Sequence, residues 1–389
     1  MLKVGRYTAA ALMVLVGALL LIDQSTGSSY LAKAVEWWPA VLIALGVEYM
    51  LFSFIYHKGE RQLKLDLGGV MIAVIIAAIV VGTTQAGKIS FDWFNVVSGN
   101  GGQKFEKEAT TVPLASGTEQ IELDNTNGPI YIKSGAVTGI LIEATVYVDM
   151  SDTAEAEKIA DLSKIEYKEG SKLHIEAKGE PYSGKLGIRR TPRMDLVVTV
   201  PETSGYDFDF ETRNGKIEVD RIAAKSRLKL QTTNGSLTLT DINGNTEART
   251  TNGSINAANI KGDAELKTTN GSVDISQVEG KVKVESTNGK IILDQAGREV
   301  IAITSNGKIE ARSNTIGGDW ELRTTNSKVE TELPSTGNFT VDGATTNSSV
   351  DTDLPLSKDK NSIEGKIGTG EHKVLIRSSN GHISVNKSD

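Results

Sequence analysis

The sequence predicts an all-β protein, a β-solenoid with coils of about 18–20 residues, preceded by three transmembrane α-helices. The first observation is a recurring phrase of two hydroxyl residues, Asn-Gly, and then alternating apolar and polar residues. The second is its period, because the five Asn residues from Asn234 to Asn306 are spaced by 18. The third is a set of three apolar stretches at the start of the chain. A fixed period near 20 residues is typical of stacked supersecondary units.

The apolar stretches cover residues 8–22, 37–56 and 67–82. A membrane span needs about 20 mostly apolar residues, which the second stretch reaches alone and the others reach with neighbouring uncharged residues. We therefore expect residues 1–87 to be a three-helix transmembrane region. A cleaved signal peptide is the alternative for the first stretch, but its best cleavage site, at 32–34, lies too far from the apolar core.

The placement of basic residues predicts the orientation of these spans. Lys3 and Arg6 precede the first span, and the loop at 57–66 holds three basic residues, whereas the loop at 23–36 holds one. Positive charge favours the cytoplasmic side. We therefore expect a cytoplasmic N-terminus and an extracellular region after about residue 88.

Glu48 is a carboxylate in the middle of the second predicted span. A charge there costs a few kcal/mol unless it faces a partner or water. Two interpretations stay open. Glu48 contacts another helix or a partner, or it is protonated or locally hydrated and has no role.

Outside the membrane, residues 88–104 read as a Gly-rich linker, and residues 105–205 as a β-rich first part of the ectodomain with one short helix. Residues 140–148 alternate cleanly, as a half-buried strand does. Residues 151–163 carry a Ser or Asp N-cap and apolar residues at helical spacing. Residues 206–389 then form the regular repeats, with an atypical C-terminal cap where the spacing widens to 33 between Asn347 and Asn380.

Each repeat unit holds two short strands and two corners. In the unit around Asn270, the strands are 264–268 and 273–275, and Glu279-Gly280 forms the second corner. Asn-Gly between strands also fits a type I′ hairpin and an antiparallel meander. A solenoid better explains why the phrase recurs unchanged, because like residues then stack about 4.8 Å apart. Glycine at the corner would supply a positive φ, which Asn also tolerates. The predicted corner residues are Asn214, Gly215, Asn234, Gly235, Asn252, Gly253, Asn270, Gly271, Asn288, Gly289, Asn306 and Gly307.

Composition narrows the chemistry. The 389 residues include no cysteine, and the four histidines are scattered, so no thiolate or histidine metal site is expected. Residues 1–87 carry 6 basic and 5 acidic side chains, a net charge of +1, so the remainder, with 36 basic and 44 acidic side chains, carries a net charge of −8. An acidic ectodomain without a basic patch argues against nucleic acid as a partner.

The repeats suggest several classes of ligand or enzyme. The Asn row could bind glycan or ions, although hydrogen bonds between the Asn side-chain amides of neighbouring coils are the simpler interpretation. Ice-binding solenoids carry flat threonine arrays, in which the threonines of a Thr-x-Thr motif all point outward on one face. Here the two hydroxyl residues before each Asn are adjacent in sequence and therefore point to opposite faces. The repeats lack the Gly-Gly-x-Gly-x-Asp signature of calcium-binding β-rolls. A polysaccharide-cleaving site would need a cluster drawn from Asp241, Asp263, Asp274 and Asp294, with Arg249, Lys267 and Lys283 nearby. We expect no catalytic, cofactor-binding or metal residues.

The whole chain resembles a bacterial arrangement. The repeats, with MDLVVTVP at 194–201, RNGKIEV from Arg213 and SSNGHISV at 378–385, resemble the putative-adhesin β-strand-repeat family, a domain of unknown function. This resemblance covers roughly residues 110–387. GALLLID at 17–23 and WWPAVLIALGVEYML at 37–51 are similar to the membrane region of Lia-type envelope-stress proteins, although Glu48 departs from their apolar second span. The resemblance implies a β-helix at the surface of a Gram-positive bacterium and no catalytic residues.

The expected function is therefore a non-enzymatic, membrane-anchored cell-surface protein, whose solenoid serves adhesion or contact with the cell envelope. Its partners would be the membrane and a cell-wall polymer or a membrane sensor protein. One alternative is an accessory or regulator of envelope-stress signalling that acts through its spans. The other is a polysaccharide-active enzyme.

Overall fold

The computed structural model describes residues 102–388, apart from 185–187 and 203–204, together with 2–4, 63–65 and scattered positions within 8–22 and 43–50. The chain divides into two compact units, Met1–Gly101 and Gly102–Asp389. In the first, strands Leu2–Val4 and Leu63–Leu65 pair in parallel. Within the described positions, no helix has both the length and the apolar character to cross a membrane. Most of the three predicted spans lies outside the described residues.

The second unit is a β-solenoid, as the repeat predicts. Each regular coil gives one strand to a first sheet, turns at Asn-Gly, gives one strand to a second sheet, and turns again. In one coil these strands are Ala264–Lys267 and Val273–Val278. Ala264 pairs in parallel with Val282, and Val273 with Ile291, so each residue lies beside the residue 18 positions later. The antiparallel meander is therefore wrong for the repeats.

The first sheet contains the strands that lead into the Asn-Gly corners. It is parallel through the repeats and antiparallel only at its two ends. In spatial order its strands are Lys164–Lys168, Lys172–Lys178, Gln120–Asn127, Asp207–Asn214, Ala223–Thr232, the second half of Leu237–Arg249, Ala264–Lys267, Val282–Ser286, Val300–Thr304, Trp320–Thr324, His372–Ser378, Phe339–Thr345, Ser362–Ile367 and Ser357–Lys358.

The second sheet contains the strands that leave the Asn-Gly corners, and it is also parallel through the repeats. In spatial order its strands are Gln103–Glu106 with Thr110–Val112, Ile140–Val148, Arg193–Pro201, Ile130–Gly135, Ile217–Asp220, the first half of Leu237–Arg249, Ile255–Ile260, Val273–Val278, Ile291–Ala296, Ile309–Arg312, Val329–Leu333, Ile383–Lys387 and Val350–Thr352.

The N-terminal end of the stack is closed by antiparallel strands and a helix. Strand Ile140–Val148 pairs antiparallel with Arg193–Pro201, and Gln103–Glu106 begins within the predicted linker. Helix Thr153–Leu162 starts at Asp152, whose side chain accepts a hydrogen bond from the Glu155 N–H. A short hairpin, Tyr182–Ser183 with Arg189–Arg190, lies beyond it. These elements share one compact unit with the repeats.

The C-terminal end differs from the expected cap. The last coil in the chain, His372–Ser378 with Ile383–Lys387, does not end the stack. It lies between the coil at 320–333 and the coil at 339–352, and pairs in parallel with both. The cap is instead formed by residues 334–367, whose outermost strand, Ser357–Lys358, is only two residues long. Short edge strands limit unwanted pairing with other chains.

The core lies between the two sheets, where alternate side chains of every coil point inward. In one coil, Leu266 of the first sheet and Val273 and Ile275 of the second are buried. The strict alternation along each strand leaves the other half of the side chains on two outer faces. Those faces and the corners are the surfaces available for function.

Candidate functional site: the corners and outer faces of the solenoid

The Asn residues of the corners form one continuous ladder along the edge of the stack. Each amide Nδ2 donates to the Oδ1 of the Asn in the adjacent coil, as from Asn270 to Asn252 at 2.8 Å and from Asn288 to Asn270 at 2.7 Å. All the amides are exposed. In spatial order the ladder runs through Asn214, Asn234, Asn252, Asn270, Asn288, Asn306, Asn326, Asn380 and Asn347. The ladder ties neighbouring coils and leaves one donor and one lone pair on each inner rung for a partner.

The two hydroxyl residues before each Asn have different roles. Thr268 is buried and Thr269 is exposed, as their adjacent positions predict. The Thr268 hydroxyl donates to the Gly253 carbonyl oxygen at 2.9 Å and accepts from the Gly271 N–H at 3.2 Å. A buried hydroxyl donates to a corner carbonyl of the adjacent coil along the whole stack, from Thr212, Thr232, Thr250, Thr268, Ser286, Thr304, Thr324, Ser378 and Thr345. This bond explains why the first hydroxyl recurs.

The corner glycines are required by close stacking, which corrects the expected reason. From Gly215 to Gly307 their φ angles lie outside the positive range, and only the early corner glycine, Gly128, has φ of +127°. A Cβ on Gly271 would instead lie 1.8 Å from the Gly253 carbonyl oxygen, and one on Gly289 would lie 1.6 Å from that of Gly271. At these glycine corners the backbones of adjacent coils therefore approach too closely for a side chain, whereas the two corners that follow Asn326 and Asn347 carry Ser327 and Ser348.

Positive φ occurs instead at the corner opposite Asn-Gly, where the chain leaves the second sheet. The sequence pattern does not predict positive φ at this corner. Its residues are spaced by 18–20 and are not glycine: Arg221, Asp241, Asn259, Gln277 and Gln295, with φ between 54° and 58°. The last four are skipped in the strand register, so that the next residue, such as Ile242 or Ile260, points inward. The Asn259 Nδ2 donates to the Asp241 Oδ1 at 2.8 Å. Only Asp241 and Asn259 are residue types that signal this conformation.

The outer face of the first sheet is a network of ion pairs. Lys267 pairs with Glu285 at 2.7 Å, and Lys283 lies 3.3 Å from Glu285 and 3.6 Å from Glu265. Hydrogen bonding from Lys267 holds the pKa of Glu285 below its ordinary value, despite the opposing effect of burial. Arg249 pairs with Glu247 at 2.8 Å. The charges on this face are therefore largely matched by neighbours within the protein.

The outer face of the second sheet carries an uncharged region in its central coils. We call it the neutral patch, defined by the outward residues Ser236, Thr238, Thr240, Ser254, Asn256 and Ala258. It is bordered by Glu218 on one side and Asp274 on the other. Farther along the same face, charges return as pairs, such as Lys290 with Glu310 at 2.5 Å. The neutral patch thus offers hydroxyl and amide groups on the outer face of the second sheet.

The residues considered for polysaccharide cleavage do not converge. Asp274 and Asp294 lie on the second sheet, whereas Arg249 and Lys267 lie on the first. Asp263 is at the corner and accepts from the Lys281 N–H at 2.8 Å. Within residues 102–388 and the other described positions, no three His, Asp or Glu residues are grouped to hold a metal ion.

In the first unit, Glu48 contacts Thr8. Both residues are helical and buried, with 7% and 9% of their surfaces exposed. One carboxylate oxygen of Glu48 accepts from the Thr8 backbone N–H at 2.9 Å and from its hydroxyl at 2.5 Å. The contact links residues from the first and second predicted spans.

Comparison with known proteins adds a family. The sequence model of the Toastrack DUF4097 family matches residues 118–386. No curated protein matches the chain significantly. Three solved structures each align with 73% of the chain: a putative cell adhesion protein from Clostridium sporogenes ATCC 15579 (13% identity, TM-score 0.20, 100% of that chain), a putative adhesin from Bacteroides fragilis NCTC 9343 (10%, 0.32, 97%) and a putative adhesin from Parabacteroides distasonis ATCC 8503 (13%, 0.28, 97%). The family match extends from the first coil of the solenoid to its last.

Proposed function

Because the chain belongs to the Toastrack DUF4097 family, we propose that it is a non-enzymatic, membrane-anchored surface protein whose solenoid contacts a polymer of the cell envelope. The apolar stretches at 8–22, 37–56 and 67–82 would anchor it, with the solenoid outside the cell.

The neutral patch is the observation that carries this proposal. Thr238, Thr240 and Asn256 present hydroxyl and amide groups that both donate and accept hydrogen bonds. A neutral, polyhydroxylated polymer such as a wall glycan offers the complementary groups. The opposite face is less suited, because its side chains already pair with one another.

Co-sedimentation of residues 88–389 with purified cell walls tests the proposal. We expect saturable binding that persists at high salt, because contacts between uncharged groups are not screened by ions. Replacing Thr238 by Lys in the centre of the neutral patch should lower the affinity about tenfold, which corresponds to about 1.4 kcal/mol.

Gln231→Lys is the matched control, since Gln231 also points outward on a central coil but lies on the first sheet. It adds the same charge and should leave binding unchanged. Equal loss in both variants, or binding that disappears at high salt, would show that the contact is a general electrostatic one and would sink the proposal.

A second candidate function rests on the contact between Glu48 and Thr8. A carboxylate hydrogen-bonded between two predicted spans would hold them together, since polar contacts between helices are stabilising in lipid. The spans would then form a unit able to contact a membrane sensor protein and regulate envelope-stress signalling.

Glu48→Leu and deletion of residues 102–389 separate the two functions. If the protein regulates signalling through its spans, Glu48→Leu abolishes the stress response while deletion of the solenoid leaves it intact. If the solenoid is the functional part, the deletion abolishes wall association and Glu48→Leu does not. Thr8→Val, which keeps the backbone N–H donor to Glu48, should have a weaker effect than Glu48→Leu.

A further inference from the structure

The coil at 372–387 is out of sequence order. Its strand His372–Ser378 lies between Trp320–Thr324 and Phe339–Thr345, and its strand Ile383–Lys387 lies between Val329–Leu333 and Val350–Thr352. Along the sequence, the coil at 339–352 therefore comes before the coil at 372–387, which occupies the position between it and the coil at 320–333. We call this position the slot.

Both walls of the slot hold the inserted coil by the same bonds that join ordinary coils. The Asn380 Nδ2 donates to the Asn326 Oδ1, and the Asn347 Nδ2 donates to the Asn380 Oδ1, both at 2.8 Å. The Ser378 hydroxyl donates to the Ser327 carbonyl at 3.0 Å, and the Thr345 hydroxyl donates to the Gly381 carbonyl at 2.9 Å. These contacts do not depend on which molecule supplies the coil.

The link into the slot is short and built to turn. Residues 368–371 carry the chain across strand Phe339–Thr345, from its antiparallel neighbour Ser362–Ile367 to its parallel neighbour His372–Ser378. Gly368 and Gly370 have φ of +61° and +73°. Glycine adopts these angles without steric cost and can equally adopt extended ones, so this link can open without strain.

Polar contacts hold this coil in the slot from both sides. The Arg377 guanidinium pairs with Asp342 at 2.6 Å on one side. On the same side, the Lys387 backbone N–H donates to Asp353 at 2.7 Å. On the other side, the Lys373 backbone N–H donates to Asp319 at 2.8 Å. These partners lie on both neighbouring coils, so the slot recognises the coil at its two faces.

We propose that the slot is a docking site for the coil 372–387 of a second copy, so that two chains join by exchanging this coil. The exchanged coil makes in the partner the contacts that it makes within its own chain, which is the condition that makes such exchange a low-cost route to association. Residues 368–371 act as the hinge. The exchange would connect solenoids irrespective of the polymer that they contact.

Engineered cysteines in the full-length chain test the exchange, because the native sequence has no cysteine. Thr325 and Ser379 follow the paired residues Thr324 and Ser378 and are not buried. Adjacent strands lie about 4.8 Å apart, within the range of a disulfide. Two tagged copies, one with Thr325→Cys and one with Ser379→Cys, are mixed under oxidation. We expect a disulfide-linked heterodimer whose yield rises with time and protein concentration.

Thr251→Cys mixed with Ser379→Cys is the matched control, since Thr251 is an exposed residue of the same row in a central coil. Its heterodimer yield should be several-fold lower. The double variant Thr325→Cys, Ser379→Cys, oxidised before mixing, should close within one chain and prevent later exchange. Equal yields in the two mixtures would overturn the proposal, and so would failure of the double variant to form its disulfide within one chain.

Discussion

The hydroxyl of Thr268 donates a hydrogen bond of 2.9 Å to the carbonyl oxygen of Gly253 in the preceding coil. The same hydroxyl accepts from the Gly271 N–H in its own corner, so one buried side chain satisfies backbone groups of two coils. Buried backbone groups without partners are costly. The hydroxyl thus makes the Asn-Gly corner and the coil stack depend on each other.

Thr268→Val should destabilise the solenoid by about 1–3 kcal/mol, because the Gly253 carbonyl and the Gly271 N–H lose a partner in a buried place. Urea unfolding of residues 102–389 measures the effect. Thr269→Val, on the exposed neighbour, should change the free energy of unfolding by less than about 0.5 kcal/mol. Equal effects at the two positions would show that the buried hydroxyl row does not hold the coils together.

Gly271→Ala should be among the most damaging substitutions in the chain, with a loss above about 4 kcal/mol. Its Cβ would lie 1.8 Å from the Gly253 carbonyl oxygen, so the stack would have to open locally. Gly297→Ala is the control, because a Cβ there meets no atom within 4 Å. Folded, stable Gly271→Ala protein in circular dichroism and urea unfolding would contradict the stacking explanation.

The repeat made the coil geometry predictable. Because like residues recur every 18 positions, the parallel register and the Asn row follow from the sequence, and the hydroxyl pair indicates one inward and one outward residue. Alternation predicts the strand Ile140–Val148, which is present, and capping preference predicts Ser151 or Asp152 as the N-cap of the helix, of which Asp152 caps it.

Three features could not be predicted, each for a physical reason. The Asn-Gly pattern predicts a positive φ at Gly271, whereas glycine is needed there because of the Gly253 carbonyl in the adjacent coil, a contact that a single coil's sequence does not contain. Gln277 has positive φ but belongs to a residue type that rarely adopts it. The insertion of the coil at 372–387 leaves every local pattern unchanged, because any coil carries the stacking groups that fit any other.

Gln277 gives a direct test of backbone strain. Gln277→Asn should stabilise the solenoid by up to about 1 kcal/mol, because Asn tolerates positive φ. Gln277→Val should destabilise it by about 1–2 kcal/mol or more, because a β-branched residue is poorly accommodated there. Urea midpoints of the two variants should fall on opposite sides of the wild type. If both midpoints fell on the same side of the wild type, side-chain contacts would dominate over backbone strain at this position.

The C-terminal coils should weaken in acid through Asp342. Burial alone would raise the pKa of this carboxyl, but hydrogen bonds from Arg377 and Lys373 hold the pKa below its ordinary value. A carboxyl with a lowered pKa stabilises the fold above its unfolded value of about 3.9, and this stabilisation disappears as the pH falls through the folded value. We therefore expect a loss of stability below about pH 4.

Unfolding of wild type and Asp342→Asn at pH 7 and pH 3 measures this contribution. Asp342→Asn should be less stable than wild type at pH 7, and the difference should shrink at pH 3. Thr269→Val, which removes no titratable group, should keep a constant difference from wild type between the two pH values. If the difference in stability between wild type and Asp342→Asn were the same at both pH values, the ion pair could not be the cause of that difference.

The central claim, that the solenoid lies outside the cell as part of a membrane-anchored surface protein, is tested most directly by finding on which side of the membrane the solenoid lies. Single cysteines at Thr251, on the exposed edge of the solenoid, and at Lys58, in the second predicted loop, can be labelled with a membrane-impermeant maleimide, because the native chain has no cysteine. The account predicts that Thr251→Cys is labelled in intact cells and that Lys58→Cys is labelled only after permeabilisation. Labelling of Thr251→Cys only after permeabilisation would contradict it.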